Sequence, residues 1–188
     1  MRKACLENKN IVVNILSKSF MNDPHINWLL EKSKNKNKLK IIMGYVFEES
    51  LARGTVYLND DNTAVALWNT EMKEKVSFQY IYRNLSFLFR IGIKTTIRCL
   101  KTDKLIYDQY PKDAKYCQLY LIGVLPEFQG KGLASALMNP MIEDMRKNFT
   151  PMHLETANSK NINLYNKKGF KIIKILQLGK NTLHCMRR

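Results

Sequence analysis

"LIGVLPEFQGKGLASALM", residues 121–138, reads as a strand, a tight loop and a helix with no linker between them. The β-rich run 121–124 meets Pro126, and Gly130 and Gly132 then flank Lys131 just before helical spacing sets in. From there Ala134, Leu137, Met138, Met141, Ile142 and Met145 stand at offsets 0, 3, 4, 7, 8 and 11. At ~100° per residue these positions form one apolar stripe, so the helix packs a whole face against a sheet. Pro140 lies inside this helix, where losing a backbone bond typically costs ~3 kcal/mol. It falls off the apolar stripe, which predicts a kink toward solvent with the helix surviving.

A strand that delivers a glycine loop to a helix N-terminus is a place to hold an anion. Backbone N–H groups and the positive end of the helix dipole converge there, and glycine lets an anion approach without a Cβ in the way. Two nucleotide patterns fail. A Walker loop requires G-x-x-x-x-G-K-[ST], but six residues separate Gly123 from Gly130, and Lys131 is followed by Gly132. A dinucleotide fingerprint requires a third glycine where Ser135 stands.

Working outward, the chain predicts a helix over 12–21 ended by "NDP" (22–24), and a second over 39–54 closed by Gly54. A hairpin follows, with two β-rich runs on either side of Asn59–Asn62. Residues 75–100 read as two aromatic-rich helices broken near Gly92. Strand 115–124, helix 132–148, strand 152–157, helix 159–169 and a hairpin over 170–187 complete the order. The fold class is α/β: a central mixed sheet flanked by helices, with at least one right-handed crossover. With 188 residues, no internal repeat and no linker, residues 1–188 read as a single domain.

The balance of 31 Lys+Arg against 16 Asp+Glu gives a net charge of +15. The one cluster, "EKSKNKNKLK" (31–40), carries no aromatics that would stack on bases, so a nucleic-acid partner is not expected. No run approaches the ~20 apolar residues of a membrane span, and the N-terminus lacks the apolar core of a signal peptide, so a cytoplasmic location is expected. Cys5, Cys99, Cys117 and Cys185 are scattered and no histidines cluster, which predicts free thiols and no metal site.

The stretch 121–138, together with "HLETANSKNINLYNKKGF" (153–170), resembles the GNAT superfamily of N-acetyltransferases. Gln129-Gly130-Lys131-Gly132-Leu133-Ala134 is similar to its Q/R-x-x-G-x-G/A acetyl-CoA motif, and Asn158, Tyr165, Gly169 and Phe170 to a second element. The resemblance covers roughly residues 116–175 and implies a mostly antiparallel sheet splayed open at a cofactor wedge. It further implies that Ile122, Gly123 and Val124 lie along the pantetheine arm, and that the N–H groups of Gln129, Gly130, Lys131, Gly132, Leu133 and Ala134 hold the pyrophosphate. Asn158 would meet the pantetheine or phosphate region, and Tyr165 would protonate the departing thiolate. The co-substrate would be acetyl-CoA and the acceptor a small-molecule primary amine, in a monomer or homodimer. A CoA-binding module without turnover, and a protein or peptide amine acetyltransferase, are the alternatives.

Histone-type members carry a glutamate six positions before the place of Val124, where this chain has Gln118. An amide cannot act as a base, and histone-like acetylation loses ground accordingly. Glu155 and His153 on the next strand are candidates acting through a water, and the base stays unassigned. The acceptor site is expected among Phe20–Trp28, Trp68–Thr70, the aromatic helices 78–90 and Tyr120. The basic chain slightly favours an acceptor that carries a carboxylate.

Overall fold

The computed structural model describes residues 1–31, 35–70, 76–110, 115–147 and 150–188. Seven strands form one sheet: β1 (Arg2–Lys3), β2 (Gly54–Leu58), β3 (Ala64–Asn69), β4 (Cys117–Val124), β5 (Met152–Thr156), β6 (Lys171–Leu178) and β7 (Asn181–Arg187). Their order is β1-β2-β3-β4-β5-β7-β6, and every pair is antiparallel except β4–β5. That parallel pair requires a crossover, which α6 (Leu133–Lys147) provides. The α/β class, the mixed sheet and the hairpins at 54–69 and 171–187 are as the sequence predicts.

The strands sort their side chains to two faces. On β3, Val65 and Leu67 join a core with α1 (Lys9–Ser19), α2 (Pro24–Leu29), α3 (Lys36–Arg53) and α4 (Phe78–Ile91). Ala64, Ala66 and Trp68 join the opposite core, with Leu137, Met138 and Ile142 of α6 and Tyr165 of α7 (Ile162–Lys167). The alternation is the period-two geometry of a strand buried on both sides. A third cluster sets Ile106 of α5 (Ile93–Tyr107), Tyr110 and Tyr116 against Leu176, Leu178, Leu183 and Cys185 of the last hairpin.

α6 buries Leu137, Met138 and Ile142 of the predicted stripe and half-buries Ala134, Met141 and Met145, and Pro140 is exposed within a continuous helix. "NDP" differs from expectation. It ends α1, but Asp23 also caps a new helix, accepting from the N–H groups of His25 and Ile26 at 2.9 and 3.0 Å, with Pro24 in the first turn. A stop signal and an N-cap use the same residue types, and proline suits the first helical position. Part of the basic cluster, Ser33 included, lies outside the described residues, while Lys36 opens α3 behind an Asn35 cap. Among the described residues no helix is long and apolar enough to cross a membrane, and no group of acidic, His or Cys side chains is placed to hold a metal.

Candidate active site

β4 and β5 pair only at Cys117–Met152, Gln118–His153 and Leu119–Leu154. β4 then runs on to Val124 with no partner on that edge among the described residues, so the sheet opens. The divergence starts at a register shift: Leu67 faces Leu121 and Trp68 faces Leu119, which leaves Tyr120 as the extra residue of a bulge. A bulge bends a strand and raises its twist, which turns β4 away from β5.

The direction of the β4 amides follows from the same pairing. Leu125 donates to the Thr63 carbonyl at 2.9 Å, and bonded and non-bonded positions alternate along an antiparallel ladder. Gly123 therefore turns its amide to β3, while Ile122 and Val124 turn theirs into the gap. Gly123 has another reason to be glycine, since a Cβ there would lie 3.1 Å from Leu16 Cδ2 and from Ser19 Oγ. Its absence lets α1 pack on the end of β4, where the Ser19 hydroxyl lies 2.8 Å from the Val124 carbonyl oxygen. Gln129 Nε2 donates to that same oxygen at 3.1 Å, tying the loop to the strand.

Past the strand, Gly130 and Gly132 adopt φ of +77° and +79°, and a Cβ on either would meet nothing within 4 Å. The positive φ is what requires glycine here, and the open space leaves the loop backbone approachable. Lys131 rests its ammonium 4.9 Å from the Phe128 ring centre. The first intrahelical bond of α6 runs from Ala136 N–H to the Gly132 carbonyl, so the N–H groups of Leu133 and Ala134 have no helical acceptor. Asn158 stands just past β5, where its side-chain Oδ1 accepts from Lys160 N–H at 3.1 Å and its Nδ2 is left as a donor for another partner. Asn161, one turn on, lines the opening.

The gap leads into a cavity of about 390 Å³ between α2, α3, α4 and α5. Ile122 and Tyr165 line it from opposite sides of the wedge, and Phe20, His25, Tyr45 and Tyr120 line it further in. Tyr165 reaches it through the opening from the α6–α7 face, and burial, with a contribution from Asp23, pushes its phenol up to about 12. The phenol thus stays protonated at neutral pH.

Four titratable acids and imidazoles also line it: Asp23, His25, Asp103 and Glu155. Glu155 accepts from the Tyr110 hydroxyl and, at 2.9 Å, from Gln118 Nε2. Desolvation pushes its carboxyl up to about 7 against the lowering effect of those two bonds. Asp103, on α5, is likewise raised to about 7 by burial and then by Glu49, with Arg53 opposing and Glu155 adding. His25 is lowered to about 4 by burial. Glu49 takes a hydrogen bond from Arg53 Nη1 at 2.6 Å and one from the Tyr120 hydroxyl at 3.3 Å.

The structure corrects three expectations about the acceptor region. Trp68 is fully buried in the core under α6, on the far face of the sheet, because its position on β3 has the other parity from Leu67. Phe78, Tyr82 and Phe89 point outward from α4, and Asn84, Leu85, Phe87 and Leu88 face the cavity instead. Among the described residues no lysine or arginine lines the cavity, so the basic surface does not extend to it and a carboxylate-bearing acceptor loses its support. Sequence reasoning missed Asp103, Tyr110 and Glu49, which come from helices and a loop with no shared motif. His153, two residues before Glu155, packs with its ring 4.4 Å from that of Tyr110 and does not line the cavity.

Residues 96–170 match the model of the acetyltransferase (GNAT) family. A structure described as histone acetyltransferase HPA2 and related acetyltransferase, from Corynebacterium glutamicum, superposes with a TM-score of 0.66 at 19% identity, over 99% of this chain and 93% of that one. Arylalkylamine N-acetyltransferase 2 from Aedes aegypti superposes with a TM-score of 0.68 at 16% identity, over 100% of this chain and 96% of that one. At such identities the likeness is one of fold.

Proposed function

Taking as premise that the chain belongs to the GNAT acetyltransferase family, we propose that it transfers the acetyl group of acetyl-CoA to the primary amine of a small molecule. The observation that carries this reading is that Ile122 on the free edge of β4, the Tyr165 side chain and Glu155 line one cavity.

The residues present suit CoA. The glycine loop and the start of α6 offer N–H groups to its pyrophosphate, and the Ile122 and Val124 amides offer a strand edge to its pantetheine arm. Acetyl-CoA supplies an acyl carbon activated by its thioester. Val124 N–H donates toward the carbonyl oxygen, where charge develops during transfer. An alkylammonium of pKa ~10.4 must lose a proton before it attacks, and Glu155, poised near neutrality, takes it. Tyr110 and Gln118 hold that carboxyl in place. Gln118 thus occupies the expected base position as an amide that orients a carboxylate one strand away. Tyr165, kept protonated by burial, donates its proton to the departing sulfur, and the phenolate left behind, being the stronger base, recovers a proton from solvent.

A concave, mostly apolar cavity of about 390 Å³ set between helices supports a small acceptor. Release of CoA thiol over a panel of small amines tests the reading. Release above the hydrolysis background for at least one amine is expected, and tight acetyl-CoA binding with no release for any amine points to a binding module without turnover.

A further inference from the structure

The cavity narrows the acceptor beyond "a small amine". Asp103 projects from α5 into it, half-buried, with no hydrogen bond or ion pair to any described residue. The groups facing it are Glu49, Glu155, Arg53, Tyr45, Tyr107, Tyr120 and Cys99. Arg53 is engaged by Glu49 at 2.6 Å and lies over the Tyr107 ring at 5.5 Å. The phenols and the thiol are held neutral by burial. Asp103 therefore feels Arg53 only through a guanidinium already engaged by Glu49, and Glu155 is held by neutral donors alone, in a cavity where an unpaired charge is costly.

The second observation is an apolar path. Leu85 of α4 and Leu100 of α5 line the cavity, yet they are 50% and 63% exposed. Ile81 and Phe89, at i−4 and i+4 of Leu85, and Ile97 beside Leu100 continue this surface outward. The interior wall (Ile26, Leu29, Ile42, Met43) is also apolar. Its volume of about 390 Å³ exceeds the ~150 Å³ of an apolar cavity that accepts benzene.

We propose that the acceptor is a singly charged primary amine bearing an extended apolar group, its ammonium held at Asp103 and its apolar group lying between α4 and α5. The chemistry that follows binding rests on the acetyl-transfer reading above. One ammonium offsets the exposed acid charge. An added carboxylate brings a further negative charge to the acids, and a second ammonium along the path would lie against the apolar side chains of Leu85, Ile97 and Leu100.

Calorimetric titration of CoA-saturated protein with butylamine, hexylamine, octylamine and 2-phenylethylamine tests this, with phenylalanine and spermidine as comparators. Affinity should rise about threefold or more per methylene along the series. 2-Phenylethylamine should bind at least about tenfold tighter than phenylalanine, from which it differs by one carboxylate. Asp103→Asn should weaken every amine about tenfold or more while leaving acetyl-CoA affinity unchanged, which also reports that the variant folds. Leu100→Ser should remove part of the octylamine gain and leave butylamine alone. A flat series, a preference for spermidine or phenylalanine, or a folded Asp103→Asn variant with unaltered amine affinity overturns the proposal. The two readings fail separately: the expected binding pattern without acetylated product sinks acetyl transfer, and rapid transfer to spermidine alone sinks the apolar acceptor.

Discussion

The glycine loop 129–132, beyond the C-terminal end of β4, and the cavity lined by β4 residues 119–122 are built in opposite ways. The loop is exposed, contiguous in sequence and made of backbone: two positive-φ glycines, a row of N–H groups and a helix start. The cavity is partly open and made of side chains from α2, α3, α4, α5, β4, β5 and α7. A phosphate-bearing donor can be held by peptide groups, which only a local conformation requires, so the requirement condenses into a short motif. An acceptor is distinguished by shape and charge, and those come from residues far apart along the chain. The contrast extends to charge, with a net +15 chain outside and an acid-lined, apolar interior.

The largest effect should come from the donor end. Gly132→Asp forces a strained φ near +79° on a residue with a Cβ and sets a carboxylate against the anion site, so acetyl-CoA affinity should fall about a hundredfold or more by calorimetry. Preserved affinity would mean that the loop is only a turn. At the cavity, Glu155→Gln should lower kcat/KM about a hundredfold with acetyl-CoA affinity unchanged. The variant should fold, because Gln118 Oε1, buried and without a partner among the described residues, can accept from the new amide. Tyr165→Phe should lower kcat about tenfold or more with little change in KM, and an unaltered kcat would remove the phenol from the protonation step.

Smaller effects follow from linkage and from position. Asp103 has a folded value near 7 against 3.8 when free, so the native state binds its proton more tightly than the unfolded chain. Its contribution is complete below about pH 4 and is lost as pH rises through 7. Melting curves should accordingly show the Asp103→Asn variant gaining on the wild type by a few degrees between pH 4 and 8. The smallest effect on chemistry is expected at Trp68. Trp68→Phe should lower the melting temperature by removing packing under α6 while leaving amine KM within about twofold.

Much of the scaffold was legible in the sequence because local patterns carried it. The α6 stripe, the glycine pair and the turn at Asn59–Asn62 each state a backbone requirement within a dozen residues. α2 was hidden because Asp23 and Pro24 serve both to end one helix and to start the next. Trp68 misled because an aromatic near an expected pocket edge says nothing about the face it occupies until the parity of β3 is known. The base position showed the deepest limit. Gln118 reads as a missing catalytic group in isolation, and only the pairing of β4 with β5 puts its amide 2.9 Å from the Glu155 carboxylate.

The most direct test of the central claim is kcat/KM for 2-phenylethylamine from pH 5.5 to 9, in the wild type and in Glu155→Gln. Glu155 must be ionised to accept a proton, and burial holds it near 7. The wild-type profile should therefore climb through an ionisation near pH 7 toward a plateau, and the variant should lose that step along with its rate. An identical profile and rate in the two proteins would contradict the account.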